Sequence, residues 1–467
     1  MATNNNRQVF SDASWYLLGA AIPMLVLFIR SPIYTRVFSP AEYGYYSLVN
    51  ITFTYLSSVS FAWITNCAWR YYLNYKNENL SGSFHRVLTF LFLCSATLIL
   101  IISICWVFLS ENLLLRKLIL SGYLYFVTNE LINIVLVPLR IEGRSKMYNV
   151  LHASRIVISF AMLLFLTFIG SMRIEAFFIS GLIINLFYLF YIVFAGLFRF
   201  HFDFTLLLKK DLKIFLQYGM YNLGFDLFMM VLISSDRYFL AIYMDINSVG
   251  IYNQIYNIAQ ISLITLFNVY QAAINPELIE LLETKSADGR RVLKEYAYKT
   301  AFLFLPVAIL FTVFPRIISY ILLGEEFREA WYLLPYIIAG VFFNGMNYYA
   351  VIKFKFGNRL KILLAGGALA TALNVGLNIL LIPLYGMLAA AVTTAVAYFF
   401  LWIFYYFKSD IRYLGDKKFI KKYIVLLVAC FFIAGIYLVV RYFIPYDTAS
   451  LLPSVLMAVG LIAVFLI

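Results

Sequence analysis

The chain has 467 residues, of which 63% are hydrophobic and 13% are charged. Soluble domains average about 45–50% apolar and about 25% charged residues, so this composition excludes a soluble globular protein and predicts a polytopic membrane protein. The formal net charge of +13 would suggest nucleic-acid binding in a soluble protein, but in a membrane protein we assign it to cytoplasmic loops, where Lys and Arg set the topology.

Long apolar runs predict the transmembrane helices, because a bilayer-spanning helix needs about 20 mostly apolar residues. The sequence contains about fourteen such runs, which predicts an all-α fold. The predicted spans are 14–35, 43–66, 86–109, 117–138, 147–169, 174–197, 213–235, 249–271, 299–323, 331–353, 360–381, 385–407, 423–443 and 451–467. The first run ends in Arg30-Ser31-Pro32 rather than at a small-residue cleavage site, so we expect a retained helix.

An internal repeat relates two parts of the chain. Leu18-Gly19 precedes Leu223-Gly224, and Gly44 precedes Gly250, by about 205 positions in both cases; repeats of this kind build many transporters. The two segments share few identical residues, but their apolar runs and charged residues follow in the same order. We therefore expect two helical lobes of related design.

Basic residues predict the topology and the domain boundaries. Most Lys and Arg fall in the connections that follow even-numbered spans, which predicts that both termini are cytoplasmic. The longest connections, at 198–212, 272–298 and 408–422, belong to the same side. The expected domains are an N-terminal six-helix lobe at 1–200, a C-terminal six-helix lobe at 201–410 and an additional helix pair at 411–467.

The sequence offers no pattern for a metal, a cofactor or a catalytic centre. The four cysteines form no CxxC pair, the three histidines are scattered, and no glycine-rich phosphate-binding loop is present. We therefore expect no metal site and no cofactor. Membrane-bound polysaccharide polymerases and glycosyltransferases carry a sizeable outward catalytic loop, whereas the outward connections here are short, so we do not expect an enzyme.

Arg155 and Asp226 fall inside predicted spans, where charges are costly and usually face a cavity or a partner. Arg155 lies about eight residues into the fifth span, shallow enough for its side chain to extend to the membrane surface. Ligand contact and such an extension therefore both stay open. Asp226 is deeper and shorter, which leaves a protonatable coupling site, a partner of a basic residue or a protonated structural residue.

More charges lie near the outer ends of two spans. Arg30 and Arg36 are near that end of the first span, and Asp236-Arg237 is near that end of the seventh. If the two halves of the chain face one another, these charges would meet at the outer mouth of a central cavity. Anchoring at the membrane interface is the alternative.

Polar residues also recur at helical spacing within spans. Glu130 and Asn133 stand one turn apart on the fourth span, and Asn344 and Asn347 stand three residues apart on the tenth. In hydrocarbon such groups mostly form hydrogen bonds between helices. We favour helix packing for them and keep sugar binding as the alternative.

Several motifs resemble one exporter superfamily. They are Ile33–Gly44, which contains a basic residue followed by Glu-Tyr-Gly, then Asp236-Arg237 with Val249–Tyr252, and finally Asn374–Asn378 with Ile382–Ala391. On these residues the chain resembles the multidrug/oligosaccharidyl-lipid/polysaccharide exporter superfamily, and more closely the Wzx-type polysaccharide flippases. The motifs identify the superfamily well and the substrate poorly.

The resemblance implies a MATE-like V of two six-helix lobes around a cavity, with two additional C-terminal helices. It also implies transfer of an undecaprenyl-diphosphate-linked oligosaccharide from the inner to the outer leaflet of the bacterial cytoplasmic membrane, for O-antigen, capsule or exopolysaccharide, coupled to an ion gradient. The expected partners are this lipid-linked oligosaccharide, the bilayer, and a polysaccharide polymerase with chain-length proteins; nucleic acid is not expected.

With this function, the charged residues acquire hypothetical roles. The candidates for diphosphate binding are Arg30, Arg36, Arg155 and Arg237, because the planar guanidinium can bond two phosphate oxygens at once. The candidates for ion coupling are Asp226 and Asp236, and the candidates for cavity lining are Glu130, Asn133, Asn344 and Asn347. A lipid II flippase, a multidrug or cation antiporter of the same superfamily, and a membrane enzyme remain as alternatives.

Overall fold

The computed structural model describes residues 25–198, 200–204, 209–283, 287–357 and 359–409. Over these residues the chain is helical between short connections, and it contains no β-strand there. The helices are α1 (Leu25–Tyr34), α2 (Pro40–Ser57), α3 (Trp63–Asn77), α4 (Ser81–Leu109), α5 (Leu113–Val135), α6 (Val137–Ile141), α7 (Ser145–Phe168), α8 (Ala176–Phe194), α9 (Lys209–Tyr243), α10 (Ile246–Ala259), α11 (Thr265–Glu283), α12 (Ala287–Val313), α13 (Pro315–Leu322), α14 (Glu325–Arg328), α15 (Leu334–Met346), α16 (Tyr348–Phe356) and α17 (Leu360–Lys408).

The predicted all-α, polytopic fold class is confirmed. Each of the first twelve predicted spans overlaps at least one helix, and α17 covers both the eleventh and the twelfth. Seven helical segments in the described part of the chain are long and apolar enough to cross a membrane by themselves. The spans predicted at 423–443 and 451–467 lie outside the described residues.

The helices divide into two compact units. Among the described residues, unit 1 comprises 25–30 and 38–234, and unit 2 comprises 31–37 and 235–409. The boundary between them therefore falls within α9, and a short segment after α1 belongs to unit 2. The predicted domains 1–200, 201–410 and 411–467 stay a prediction, because this division follows contacts rather than the number of spans.

The start of α2 in unit 1 is set by local sequence. The Ser39 hydroxyl accepts a hydrogen bond from the Glu42 backbone N–H, and the Glu42 carboxylate accepts one of 3.0 Å from the Ser39 N–H. This reciprocal pattern, with Pro40 in the first turn, is a capping box. Arg173 also donates two hydrogen bonds, of 2.8 and 2.9 Å, to Glu42, and so ties the connection between α7 and α8 to α2.

Small residues let α5 approach its neighbours closely. A Cβ atom at Gly122 would lie 3.0 Å from the ring of Phe53, which stacks on Phe126 at 5.5 Å between ring centroids. On the facing helix α8, a Cβ atom at Gly181 would overlap the ring of Tyr125. Close packing on both sides therefore fixes the face of α5 that carries Tyr125.

The second long helix of each unit contains a π-helical turn. The turns are Ser58–Ala62, between α2 and α3, and Gln260–Ile264, between α10 and α11. A hydroxyl group donates to a carbonyl in each turn: Ser95 to Ser60 at 2.8 Å, and Thr265 to Gln260 at 3.1 Å. Both helices also begin at a side-chain cap, Ser39 and Asp245. These shared features agree with the predicted internal repeat, and π-helical turns often occur at functional sites.

In unit 2, α15 packs along α17. A Cβ atom at Gly340 would lie 3.1 Å from the Cα atom of Ala395, so glycine allows the two backbones to approach closely. Helix α17 changes direction at Gly386, whose φ of 59° is in the left-handed region that favours glycine. This change of direction separates the predicted eleventh and twelfth spans.

Candidate functional site

Unit 1 contains a cavity of about 220 Å³. Helices α1, α5, α7 and α8 supply its walls, which combine two arginines, several amide and hydroxyl groups, and aromatic rings. The lining residues are Val26, Leu27, Arg30, Tyr125, Asn129, Arg155, Ile156, Ser159, Phe160, Leu163, Phe177, Ser180, Gly181 and Asn185. A cavity that combines two cations with amide, hydroxyl and apolar groups fits an anionic ligand that carries sugar-like hydroxyl groups.

Arg155 is the most deeply buried cation of this cavity. It projects from α7, and only 9% of its surface is exposed. Within the described residues, its Nη1 atom has no hydrogen-bond partner. Buried polar groups are rarely left without a partner, because the loss of hydration is costly. Arg155 therefore offers donor capacity to a ligand.

Arg30 reaches the same cavity from α1. Its guanidinium carbon lies 5.2 Å from the ring centroid of Phe177, which also lines the cavity. Phe177 packs in turn against Tyr46, at 4.8 Å between ring centroids. The cation–π contact and the ring behind it hold the Arg30 guanidinium in a defined place. The structure thus brings two of the four candidate diphosphate-binding arginines to one cavity.

An acid and two amides stand on α5 beside this cavity. Asn129 lines the cavity, and its Nδ2 atom lies 3.5 Å from Glu130 Oε1. Asn133 Nδ2 lies 3.4 Å from Glu130 Oε2. Glu130 also interacts electrostatically with Arg155. Two of the four residues proposed to line a cavity, Glu130 and Asn133, therefore form the layer that supports its wall.

Several lining residues were not predicted from the sequence, of which Asn185 is the clearest example. It is 2% exposed, and its Nδ2 atom donates to Thr128 Oγ1 at 3.2 Å. The feature of the sequence that could have identified Asn185 is that it is a single amide within the apolar run of α8. The hydroxyl groups of Ser159 and Ser180 gave no signal, because serine is common in transmembrane helices.

Asp236 and Arg237 bind each other in the core of unit 2. Arg237 Nη1 lies 2.7 Å from Asp236 Oδ1, and the two residues are 2% and 0% exposed. Tyr252 donates a hydrogen bond of 2.6 Å to Asp236 Oδ2. The guanidinium carbon of Arg237 lies 4.1 Å from the ring centroid of Tyr256 and 5.0 Å from that of Tyr252. The motif Asp-Arg thus forms a buried ion pair enclosed by tyrosine rings.

Helix α17 extends this network with amide and hydroxyl groups. Thr394 Oγ1 lies 3.4 Å from Asp236 Oδ2 and accepts a hydrogen bond of 3.2 Å from Asn374. Asn378 donates to Asn374 at 3.1 Å, and Thr393 donates to Asn378. The asparagines of the motif Asn374–Asn378 are therefore part of the Asp236 network, which sequence spacing alone did not indicate.

The remaining candidate residues lie elsewhere. Arg36 is exposed and donates a hydrogen bond of 3.2 Å to the carbonyl of Ile321 in unit 2. Asp226 is exposed on α9, and Asn344 is half-buried on α15. Asn347 is 3% exposed at the junction of α15 and α16. In the part of the chain that the structure describes, no group of three or more His, Cys, Asp or Glu residues could hold a metal ion.

The fold is that of known flippases and transporters. A structure of the lipid II flippase MurJ, in an inward closed conformation, matches with a TM-score of 0.71 and 14% identity, over 98% of this chain and 97% of that one. A mutant of the Vibrio cholerae MATE transporter VcmN matches with a TM-score of 0.58 and 13% identity, over 87% and 98%. A multidrug resistance MATE transporter of the MOP superfamily, in an inward-facing conformation, matches with a TM-score of 0.55 and 15% identity, over 86% and 96%.

These similarities define a multi-pass membrane protein with the fold of this transporter superfamily. Residues 33–332 match the profile of the family described as "Polysaccharide biosynthesis protein", and the chain belongs to that family. An uncharacterized membrane protein of Methanocaldococcus jannaschii is 26% identical over 208 residues, which are 42% of this chain and 39% of the archaeal protein. The resemblance is therefore confirmed in the fold and in the family match.

Proposed function

We propose that this protein is a flippase that moves an undecaprenyl-diphosphate-linked oligosaccharide from the inner to the outer leaflet of the bacterial cytoplasmic membrane. The cargo would serve the synthesis of a surface polysaccharide such as O-antigen, capsule or exopolysaccharide. Family membership supports a role in polysaccharide synthesis. The observation that carries the proposal is the cavity of unit 1, which Arg30 and Arg155 line together.

The chemistry of the cavity suits a sugar diphosphate. A diphosphate that crosses a membrane needs cations along its route, since an unneutralised charge in hydrocarbon is costly. Arg155 has a terminal nitrogen without a protein partner among the described residues, and a guanidinium can bond two phosphate oxygens. The amides of Asn129 and Asn185 and the ring of Tyr125 suit the hydroxyl groups and the apolar face of a sugar.

The two other candidate arginines are ranked lower. Arg237 is buried against Asp236 at 2.7 Å, so a phosphate would have to compete with that carboxylate. Arg36 donates to the backbone carbonyl of Ile321, which indicates a contribution to local structure. Both remain candidates for a later stage of the transport cycle, in which these contacts would have to break.

Two carboxylates are proposed for ion coupling. Asp226 is exposed within a predicted transmembrane helix, where binding and release of a proton would change the charge at membrane depth. Asp236 is fully buried beside the hydroxyl oxygen atoms of Thr394 and Tyr252. Such oxygen-rich surroundings suit either a proton or a small hard cation. Transport assays with imposed proton and sodium gradients, on Asp226→Asn and Asp236→Asn, would identify the ion and the residue.

A lipid II flippase is the second candidate function. The structure of MurJ matches 98% of this chain, and lipid II also carries a diphosphate, so the cavity arginines do not discriminate between the two cargoes. A multidrug or cation antiporter is less favoured, because a cavity with two arginines repels organic cations. The matches to MATE transporters support the shared fold alone.

Gene deletion in the host distinguishes these functions. We expect loss of surface polysaccharide, with its lipid-linked precursor held in the inner leaflet and out of reach of a membrane-impermeable probe. Retention of lipid II in the inner leaflet would favour the second candidate. Normal polymer with altered drug sensitivity would favour the antiporter, and unpolymerised precursor in the outer leaflet would favour an enzyme.

Complementation of the deletion tests the cavity. We expect Arg30→Gln and Arg155→Gln to reach the membrane and to fail to restore the polymer. The matched control is Arg144→Gln, because Arg144 is exposed and lies outside the cavity; this variant should restore the polymer. Full restoration by Arg155→Gln would remove Arg155 from the proposed site.

Topology and partners complete the proposal. We place both termini in the cytoplasm and the protein in the inner membrane, on the distribution of Lys and Arg. Reporter fusions at the two ends test this orientation. A polysaccharide polymerase and chain-length proteins are proposed as neighbours, because flipped repeat units must be polymerised on the outer side; in vivo crosslinking from the outward connections tests this contact.

A further inference from the structure

An exposed arginine lies between two aromatic rings at one end of unit 1. The guanidinium carbon of Arg140, on α6, lies 4.9 Å from the ring centroid of Trp69 on α3 and 4.7 Å from that of Tyr148 on α7. Such cation–π contacts hold a guanidinium through its faces and leave its N–H groups available to other partners. Within the described residues, Arg140 makes no hydrogen bond and no ion pair. Its donors are therefore positioned and unused there.

These three residues lie at the same predicted membrane surface. Trp69 follows the second predicted span, Arg140 follows the fourth, and Tyr148 lies at the start of the fifth. The distribution of Lys and Arg predicts that this surface is cytoplasmic. Trp69 is 39% exposed, and Leu73, one turn further along α3, is 48% exposed. Arg140 therefore adjoins apolar surface that a lipid chain can cover.

Helix α7 connects this arginine to the cavity. Polar side chains repeat at intervals of three or four residues along α7 and therefore share one face of the helix. They are Tyr148, His152, Arg155 and Ser159. The rings of Tyr148 and His152 stack at 5.9 Å between centroids, and Arg155 and Ser159 line the cavity. At about 1.5 Å per residue, this polar face runs about 10 Å along the helix axis from the ring that holds Arg140 to Arg155.

The neighbouring cations differ from Arg140, because an acid neutralises them. Glu142 accepts a hydrogen bond from Lys76, and its second carboxylate oxygen lies 3.5 Å from Arg144. No carboxylate in the described part of the chain forms such a pair with Arg140. Of these three cations, Arg140 is thus the one whose charge is left to attract an anion from outside the protein.

We propose that Arg140 is the entry contact of the cargo, which binds the diphosphate at the cytoplasmic surface before the headgroup passes along α7 to Arg155. This inference rests on the proposed function, because it takes a lipid-linked diphosphate as the cargo. The planar guanidinium can bond two phosphate oxygens at once, while the lipid chain covers the apolar surface beside Trp69 and Leu73.

The two arginines should affect different rate constants, because an exposed charge mainly speeds association and a buried charge mainly slows dissociation. The full-length protein in dodecyl maltoside micelles is titrated with inorganic pyrophosphate, and phosphorus NMR line shapes give both rate constants. We expect Arg140→Gln to slow association about 3- to 10-fold with little change in dissociation, and Arg155→Gln mainly to speed dissociation. Added salt should slow association with the wild type more steeply than with Arg140→Gln.

Two kinds of control separate the site from general effects of charge and packing. Arg144→Gln removes an exposed charge from the same end of unit 1, but one that is paired with Glu142, and should associate at the wild-type rate. Trp69→Leu removes one of the two rings and should slow association as Arg140→Gln does. Trp69→Phe keeps a ring and should restore most of the rate. Elution volume and Tm confirm that each variant is folded.

The outcomes distinguish this proposal from the flippase proposal. An unchanged association rate in Arg140→Gln, with faster dissociation from Arg155→Gln, would overturn the entry contact and leave the flippase proposal intact. Equal slowing by Arg140→Gln and Arg144→Gln would overturn it too, since that result would reflect surface charge in general.

Lipid extraction and mass spectrometry test the other possible occupant, a membrane phospholipid. An anionic phospholipid that copurifies with the wild type but not with Arg140→Gln, together with an unchanged association rate, would overturn the entry contact in favour of a phospholipid site. Absence of pyrophosphate binding by the wild type would remove the cavity as an anion site and both proposals with it.

Discussion

The hydroxyl group of Tyr252 donates a hydrogen bond of 2.6 Å to the carboxylate of Asp236, whose other oxygen lies 2.7 Å from Arg237. Both oxygens of this buried carboxylate are thus used. A buried ion pair gains little over apolar packing, because both charges lose their hydration, but removal of one partner is strongly destabilising. The tyrosine and the ion pair should therefore contribute unequally to stability.

Replacement of Asp236 by Asn should destabilise unit 2 more than replacement of Tyr252 by Phe. The first change removes the carboxylate partner of Arg237 and should cost about 3–5 kcal/mol. The second removes one hydrogen bond to a charged group and should cost about 1.5–3 kcal/mol. The measurement is Tm in detergent. The double variant Asp236→Asn/Arg237→Gln should be less destabilised than the sum of the single changes; additive losses would show that the pair is not coupled.

Replacement of Gly324 by Ala should also lower the stability of unit 2. A Cβ atom at Gly324 would overlap the backbone carbonyl of Thr35, and the Gly324 N–H donates a hydrogen bond of 2.8 Å to the Thr35 hydroxyl. The matched control is Gly376→Ala in α17, since no described atom beyond its own stretch of helix lies within 4 Å of a Cβ atom there. That control should keep or raise Tm, because alanine favours a helix by up to about 1 kcal/mol over glycine. Equal Tm values for the two variants would contradict the close approach of Thr35.

Much of the fold follows from local properties of the sequence. Hydropathy alone predicts the spans, and the segment from Ser39 to Glu42 contains the residues of a capping box. The break predicted between the eleventh and twelfth spans is confirmed by the change of direction of α17 at Gly386. Such features depend on neighbours within one or two helical turns, which the sequence displays directly.

The site depends on contacts between distant residues, which the sequence does not display. Arg30 and Arg155 are both unusual in apolar runs, so each was recognised, but their meeting in one cavity is a property of helix packing. Asp236 and Arg237 were read as charges near a membrane surface, whereas tyrosines from α10 enclose them in the core of unit 2. The amide of Asn185 was overlooked, because one amide in an apolar run is compatible with any buried helix contact.

The pH dependence of stability should reveal the cluster around Glu142. This acid follows α6 and accepts hydrogen bonds from Lys76 and, at 2.6 Å, from Tyr72. The bond from Lys76, and then that from Tyr72, hold the pKa of Glu142 below its usual value. Its stabilising contribution is therefore present at neutral pH and is lost as pH falls through the pKa of the folded state.

Glu142→Gln should accordingly lower Tm at pH 7, and its difference from the wild type should shrink toward about pH 4. Thermal unfolding in detergent across this range measures the difference. The control Glu78→Gln removes an exposed carboxylate from the same end of unit 1 and should show no such trend. A Tm difference that stays constant with pH would exclude an ionised Glu142 as its source.

Replacement of Arg155 by Lys separates the charge of the guanidinium from its shape. Lysine keeps the positive charge but cannot bond two phosphate oxygens in one plane, and loss of one charge-assisted hydrogen bond costs about 1.5–3 kcal/mol. We therefore expect Arg155→Lys to bind inorganic pyrophosphate about 10- to 100-fold more weakly than the wild type, and Arg155→Gln to bind it more weakly still. Arg144→Lys, at an exposed site outside the cavity, should bind as the wild type does. Equal affinities for Arg155→Lys and the wild type would show that the cavity recognises only the charge of the ligand. The proposed contact of Arg155 with two phosphate oxygens would then be wrong.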